Sequence, residues 1–107
     1  MDDWYGHTRW FKVRPSGRVT EHIGDGCCNP VIELGLQLSN PRRTSTGWTA
    51  TATVVSVKVH KGWRDGGSPP KLGQRGTVVI KRGVLTTSLT DTTYCNKGSG
   101  QPSPCGA

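Results

Sequence analysis

Residues 31–38 read Val-Ile-Glu-Leu-Gly-Leu-Gln-Leu, and no other stretch constrains the fold as tightly. Successive side chains of an extended strand point to opposite faces. Ile32, Leu34, Leu36 and Leu38 therefore form one apolar row, and Glu33, Gly35 and Gln37 form the other. A helix would need apolar spacings of three and four, and Gly35 inside it would cost about 1 kcal/mol against Ala. A strand that is apolar on one face must pair with further strands and have that face covered.

The remaining chain supplies such strands. In 48–60 the even positions Trp48, Ala50, Ala52 and Val54 are apolar first, and then the odd positions Val55, Val57 and Val59. The buried face switches at Val54–Val55, which predicts a bulge or a bend where the strand passes from one sheet to another. Residues 8–14, with Trp10, Phe11 and Val13, are separated by Pro15-Ser16-Gly17 from 18–23, and the two read as a hairpin. Residues 76–81 and 84–94 are β-branched runs on either side of a turn at Gly83. Between strands, 24–30, 39–47 and 61–75 carry the Gly, Asn and Pro of loops.

About six strands result, with no helix. The expected fold is all-β, a small β-barrel or a two-layer β-sandwich forming one domain over 1–94. Residues 1–7 read as an extended N-terminal arm, and 95–107, rich in Gly, Ser and Pro, as an irregular tail. Only 32% of the 107 residues are apolar, so the core is small and each large side chain matters to it.

Catalytic and metal chemistry find little support. Zinc sites use cysteine pairs two to four residues apart, whereas Cys27 and Cys28 are adjacent and Cys95 and Cys105 are far apart. No metal or cofactor is expected. Disulfides are the better use of an even cysteine count in a core-poor domain: Cys95 with Cys105, or Cys27 or Cys28 into that region. Their alternative is a set of free thiols in a reducing compartment. Alternation sends Glu21 and His22 to opposite faces, which argues against a Cys–His centre near Cys27 and Cys28. Phosphate-loop and dinucleotide fingerprints are missing, so no enzyme is expected.

Charge points outward. Fourteen Lys and Arg against seven Asp and Glu give +7, which favours acidic partners. Candidate contacts with a partner or nucleic acid are Trp4 and Tyr5 in the arm, Arg42-Arg43, Trp63-Arg64 and Lys81-Arg82. Arg9 and Lys12 would add charge to a stacking surface of this kind, but a small core needs large residues, so Trp10 and Trp48 read as core and Trp63 as a loop anchor. The start of the chain lacks a signal-like charge and apolar run, and no stretch is long enough to span a bilayer, so virion or cytoplasm is expected and no membrane partner.

The leading expectation is a non-enzymatic structural or assembly subunit that contacts copies of itself or other subunits and is oligomeric. Small β proteins of viral or bacteriophage particles, such as capsid-cementing, head–tail connector or tail components, have this make-up. The alternative is a basic OB or SH3-like barrel that binds nucleic acid. A weaker one is a disulfide-stapled secreted effector or inhibitor.

Overall fold

In a computed structural model of the chain, the structure describes residues 3–24, 30–60 and 69–96. Eight strands run in chain order: β1 (Asp3–Gly6), β2 (Arg9–Val13), β3 (Arg18–Gly24), β4 (Pro30–Arg43), β5 (Gly47–Val59), β6 (Arg75–Lys81), β7 (Val84–Thr87) and β8 (Thr92–Asn96). Each pairs antiparallel with the next, and β8 returns to β1, which closes an up-and-down barrel. No helix occurs among the described residues.

Alternation fills the barrel from every strand. Trp4, Phe11, Val19, the Ile32–Leu34–Leu36 row, Ala52, Val54, Val78, Ile80, Leu85 and Tyr94 form one buried cluster. Across β3, β4 and β5 the register sets Glu21 beside Leu34 and Leu34 beside Val57, so the expected row of 31–38 faces inward. The switch at Val54–Val55 is a β-bulge. Gly35 pairs with Ser56 and Leu36 with Val54, which leaves Val55 as the extra residue and turns Val57 back inside. The strand does not change sheets, because all eight described strands belong to one.

Several expectations are corrected. The chain is all-β as expected, and of the two expected architectures it takes the barrel, closed and with eight strands rather than about six. Within the expected arm, Asp3–Gly6 folds back onto the domain as β1. Trp4 lies opposite Phe11 on β2 and Asn96 on β8, and it is only 4% exposed. Burial of a large indole favours insertion over projection into solvent. The run 84–94 divides into β7 and β8, with Leu89 buried in the connection between them. β4 continues through the expected loop at 39–47 as far as Arg43. It absorbs Asn40-Pro41 in a second bulge, since Ser39 pairs with Thr51 and Arg42 with Thr49. Asn40 takes a positive φ of 51°, and a bulge is where a strand tolerates proline. β8 runs through Cys95 and Asn96, into the expected tail, and residues 97–107 lie outside the described ones.

Up-and-down topology sorts the connections between two rims. The β2–β3, β4–β5 and β6–β7 turns open to one rim, together with the start of β1 and the end of β8. At the other rim Arg9 braces the closure. Its Nε and Nη2 both donate to the carbonyl of Thr93 on β8, at 3.0 and 2.7 Å, passing Gly6 of β1. A Cβ on Gly6 would collide with that guanidinium.

Because β1 completes the cylinder through Trp4, Trp4→Ala should cost about 3–5 kcal/mol by removing a buried aromatic from a filled core. Tyr5→Ala, on the outward face, should cost clearly less. Urea unfolding of both variants checks this. A loss at Trp4 no larger than at Tyr5 would show that β1 does not close the barrel.

Candidate functional site

Three groupings of functional side chains emerge from the register. The first is inside. Glu21 on β3 is fully buried, and its Oε2 accepts hydrogen bonds from the Tyr94 and Thr90 hydroxyls, each at 2.7 Å. Among the described residues its Oε1 has no hydrogen-bond partner, nor does the buried Thr87 hydroxyl. Burial raises the Glu21 carboxyl above the usual carboxylate range, and the two hydroxyl donors oppose that only in part. Tyr94 is raised as well, by burial first and then by the neighbouring Glu21. The two hydroxyl contacts tie β3 to β8 and to the turn before it through the barrel interior.

The second grouping crosses the outer face of β2 to β5. Lys12 Nζ lies 4.9 Å from the Trp10 ring centroid, and Trp10 stacks on His22 at 4.8 Å with planes 6° apart. Glu33 follows in the same row, 3.7 Å from His22 Nδ1 and 2.9 Å from His60 Nε2. The hydrogen bond from His60 lowers the Glu33 carboxyl below its ordinary range. Phe11 therefore takes the core position and Trp10 the outer one, so the expectation that Trp10 belongs to the core is corrected. No three His, Cys, Asp or Glu side chains converge as metal ligands among the described residues.

The third grouping is the rim formed by the β4–β5 and β6–β7 hairpins. Arg43 pairs with Trp48, Gly47 pairs with Lys81, and the Arg82 N–H donates to the Thr46 carbonyl at 3.0 Å. Arg42, Arg43, Lys81 and Arg82 are all exposed, and among the described residues no carboxylate pairs with them. Two depressions share Pro41 and Arg42. One, of about 550 Å³, is lined by Thr49, Thr51 and Thr77 on the outer face. The other, of about 500 Å³, is bounded by Arg43, Gly47 and Trp48. Gly47 makes this junction possible, since a Cβ there would strike the Ile80 carbonyl oxygen.

Of the contacts expected from sequence, the fold unites Arg42, Arg43, Lys81 and Arg82. Trp4 is sequestered in the core and Tyr5 is half-buried on the outer face of β1, its hydroxyl donating to Asp3 at 3.3 Å. Trp63 and Arg64 lie outside the described residues. Cys95 is disulfide-bonded, while Cys27, Cys28 and Cys105 lie outside the described residues. The Glu33–His60 contact joins β4 to the residue that follows β5 and carried no sequence signal. The Trp10–His22 stack was foreseeable only once the hairpin of 8–23 was aligned.

Known protein families, curated proteins and solved structures give no match to this chain.

The buried carboxyl yields a signed pH dependence. Glu21 binds its proton more tightly in the folded chain than at the ordinary value of 4.5, so its contribution to stability is intact below that pH. It declines as pH rises through the folded value. Glu21→Gln, which keeps an acceptor for Tyr94 and Thr90 without a charge, should remove the decline. Denaturant unfolding from acid to mildly alkaline pH reads the slope, and an identical decline in the variant would contradict this account.

Proposed function

We propose that this protein is a non-enzymatic assembly module, a closed barrel that brings a basic rim to an anionic component of a larger structure. One observation carries the reading. Four cations from two hairpins, Arg42, Arg43, Lys81 and Arg82, are set together at one rim without a carboxylate among the described residues to neutralise them. Gathering like charges costs folding stability through self-repulsion, and an anionic partner reverses the sign of that term. The filled interior supports the same reading, because it leaves the outer faces and rims as the places where a partner can be met.

The setting that suits such a module is a viral or bacteriophage particle, as a capsid-cementing, head–tail connector or tail subunit in contact with its own copies or with other subunits. The Cys95 disulfide favours a second reading, a stapled secreted effector or inhibitor, since such bonds persist in oxidising surroundings.

Retention on heparin tests the rim. Arg42→Glu with Lys81→Glu should abolish retention, whereas Lys58→Glu with Arg75→Glu, the same change in net charge elsewhere on the barrel, should leave most of it. Equal losses in the two pairs would mean that net charge alone binds and that the rim is not a site. Sizing across a concentration series, with and without the polyanion, addresses assembly. A monomer under every condition would overturn that role.

A further inference from the structure

We propose that the basic rim binds a single strand of nucleic acid, with phosphates on Arg42, Arg43, Lys81 and Arg82 and a base stacked on Trp48. The inference rests on the rim reading above and names its partner.

Trp48 is the observation that separates nucleic acid from other polyanions. It lies at the rim end of β5, directly opposite Arg43, half-buried and packed against the core. Its remaining surface borders the depression of about 500 Å³ that Arg42 and Arg43 also line. An indole anchored from behind and flanked by two guanidinium groups offers a planar platform beside phosphate donors. That combination defines sequence-tolerant single-strand sites. An acidic peptide has no use for the platform, and a duplex keeps its bases inside the stack. Across Pro41-Arg42, the depression of about 550 Å³ presents the Thr49, Thr51 and Thr77 hydroxyls beside Arg42, which extends the track along which a backbone can run.

Arg82 adds a second, independent sign. With Gly83 it forms the two-residue turn joining Lys81 to Val84, with φ of 52° at Arg82 and 79° at Gly83. Such a turn favours Asn, Asp or Gly at its first position, and an arginine held at positive φ is a strained choice. Its side chain makes no ion pair among the described residues that would compensate. A contact with a ligand phosphate supplies one.

The rim's other cations are tied back to the barrel. Arg14 Nη1 donates to Thr20 Oγ1 at 3.1 Å and Arg18 Nε to Gln37 Oε1 at 3.3 Å. The four hairpin cations therefore set the expected contact number.

The test uses the full chain with a labelled oligothymidylate, and polyglutamate as the polyanion without bases. Four phosphate contacts on a single strand predict a slope of log K against log salt near about −2.8, or about 50-fold weaker binding between about 50 and 200 mM salt. Arg42→Ala with Arg43→Ala should reduce that slope by about 1.4. Arg82→Asn should fold at least as stably as the parent, because it relieves the turn, while its slope falls by about 0.7. Trp48→Leu should weaken the oligonucleotide about ten-fold and leave polyglutamate unchanged. The Trp48 indole N–H resonance of the unaltered protein gives the same answer without a core substitution: it should shift with oligothymidylate and not with polyglutamate. Polyglutamate bound through the same four residues at least as tightly as the oligonucleotide, with Trp48 silent, would overturn the nucleic-acid inference and leave the rim reading standing. Failure of both ligands to bind at low salt would sink the two together.

Discussion

The pairing of β1 with β8 is the constraint on which this molecule depends. A four-residue strand, Asp3–Gly6, sets Trp4 opposite Asn96 and Tyr5 opposite Cys95, and with those pairs an open sheet becomes a cylinder. Closure removes both sheet edges, which in an open sheet would be templates for further strands. So short a strand contributes few ladder hydrogen bonds, and its neighbours compensate. Trp4 anchors it from inside, Arg9 spans from β2 to the Thr93 carbonyl on β8, and Gly6 leaves the room for that guanidinium to pass. Cys95, beside Tyr5 in the closing ladder, is further held by its disulfide.

An eight-stranded barrel is just wide enough for side chains to fill it. Here aromatic and aliphatic groups do so, and Glu21, the one buried acid among the described residues, is met by hydroxyls from Thr90 and Tyr94 at the far side of the barrel. Those contacts join β3 to β8 and the turn before it across the interior, so the polar group fixes which strands face one another. Up-and-down topology sends alternate turns to opposite ends, so the β4–β5 and β6–β7 tips share one rim.

Much of this was legible in the residues, and the parts that were not share a cause. Alternation located the inward row of Ile32, Leu34 and Leu36 and the bulge at Val55, because two-residue periodicity is a local property. Trp4 was misread as part of an arm, since the preceding acids and the following Gly6 look like a terminus, and only the distant partners Phe11 and Asn96 make it core. Proline at position 41 signalled a loop. The fold tolerates it inside β4 because an extra residue there removes the need for its missing N–H. Closure itself depends on contacts between the two ends of the described chain, which no local pattern encodes. Of the candidate contacts, the dipeptides Arg42-Arg43 and Lys81-Arg82 were visible as charge, but their union waits on the Gly47–Lys81 register.

That register explains why the rim carries charge so close together. A hairpin tip normally spreads its cations to lower their mutual repulsion. Here Gly47, lacking a side chain, lets β5 approach the Ile80 carbonyl, and the Arg82 amide then binds Thr46. Both interactions draw the β4–β5 tip toward the β6–β7 tip and bring four cations to one rim. The bulge at Asn40-Pro41 places Arg42 on the wall shared by both depressions, one lined by the outward threonines and one by the inward Trp48. This concentration of charge beside a half-open aromatic ring is what the proposed anionic partner rests on.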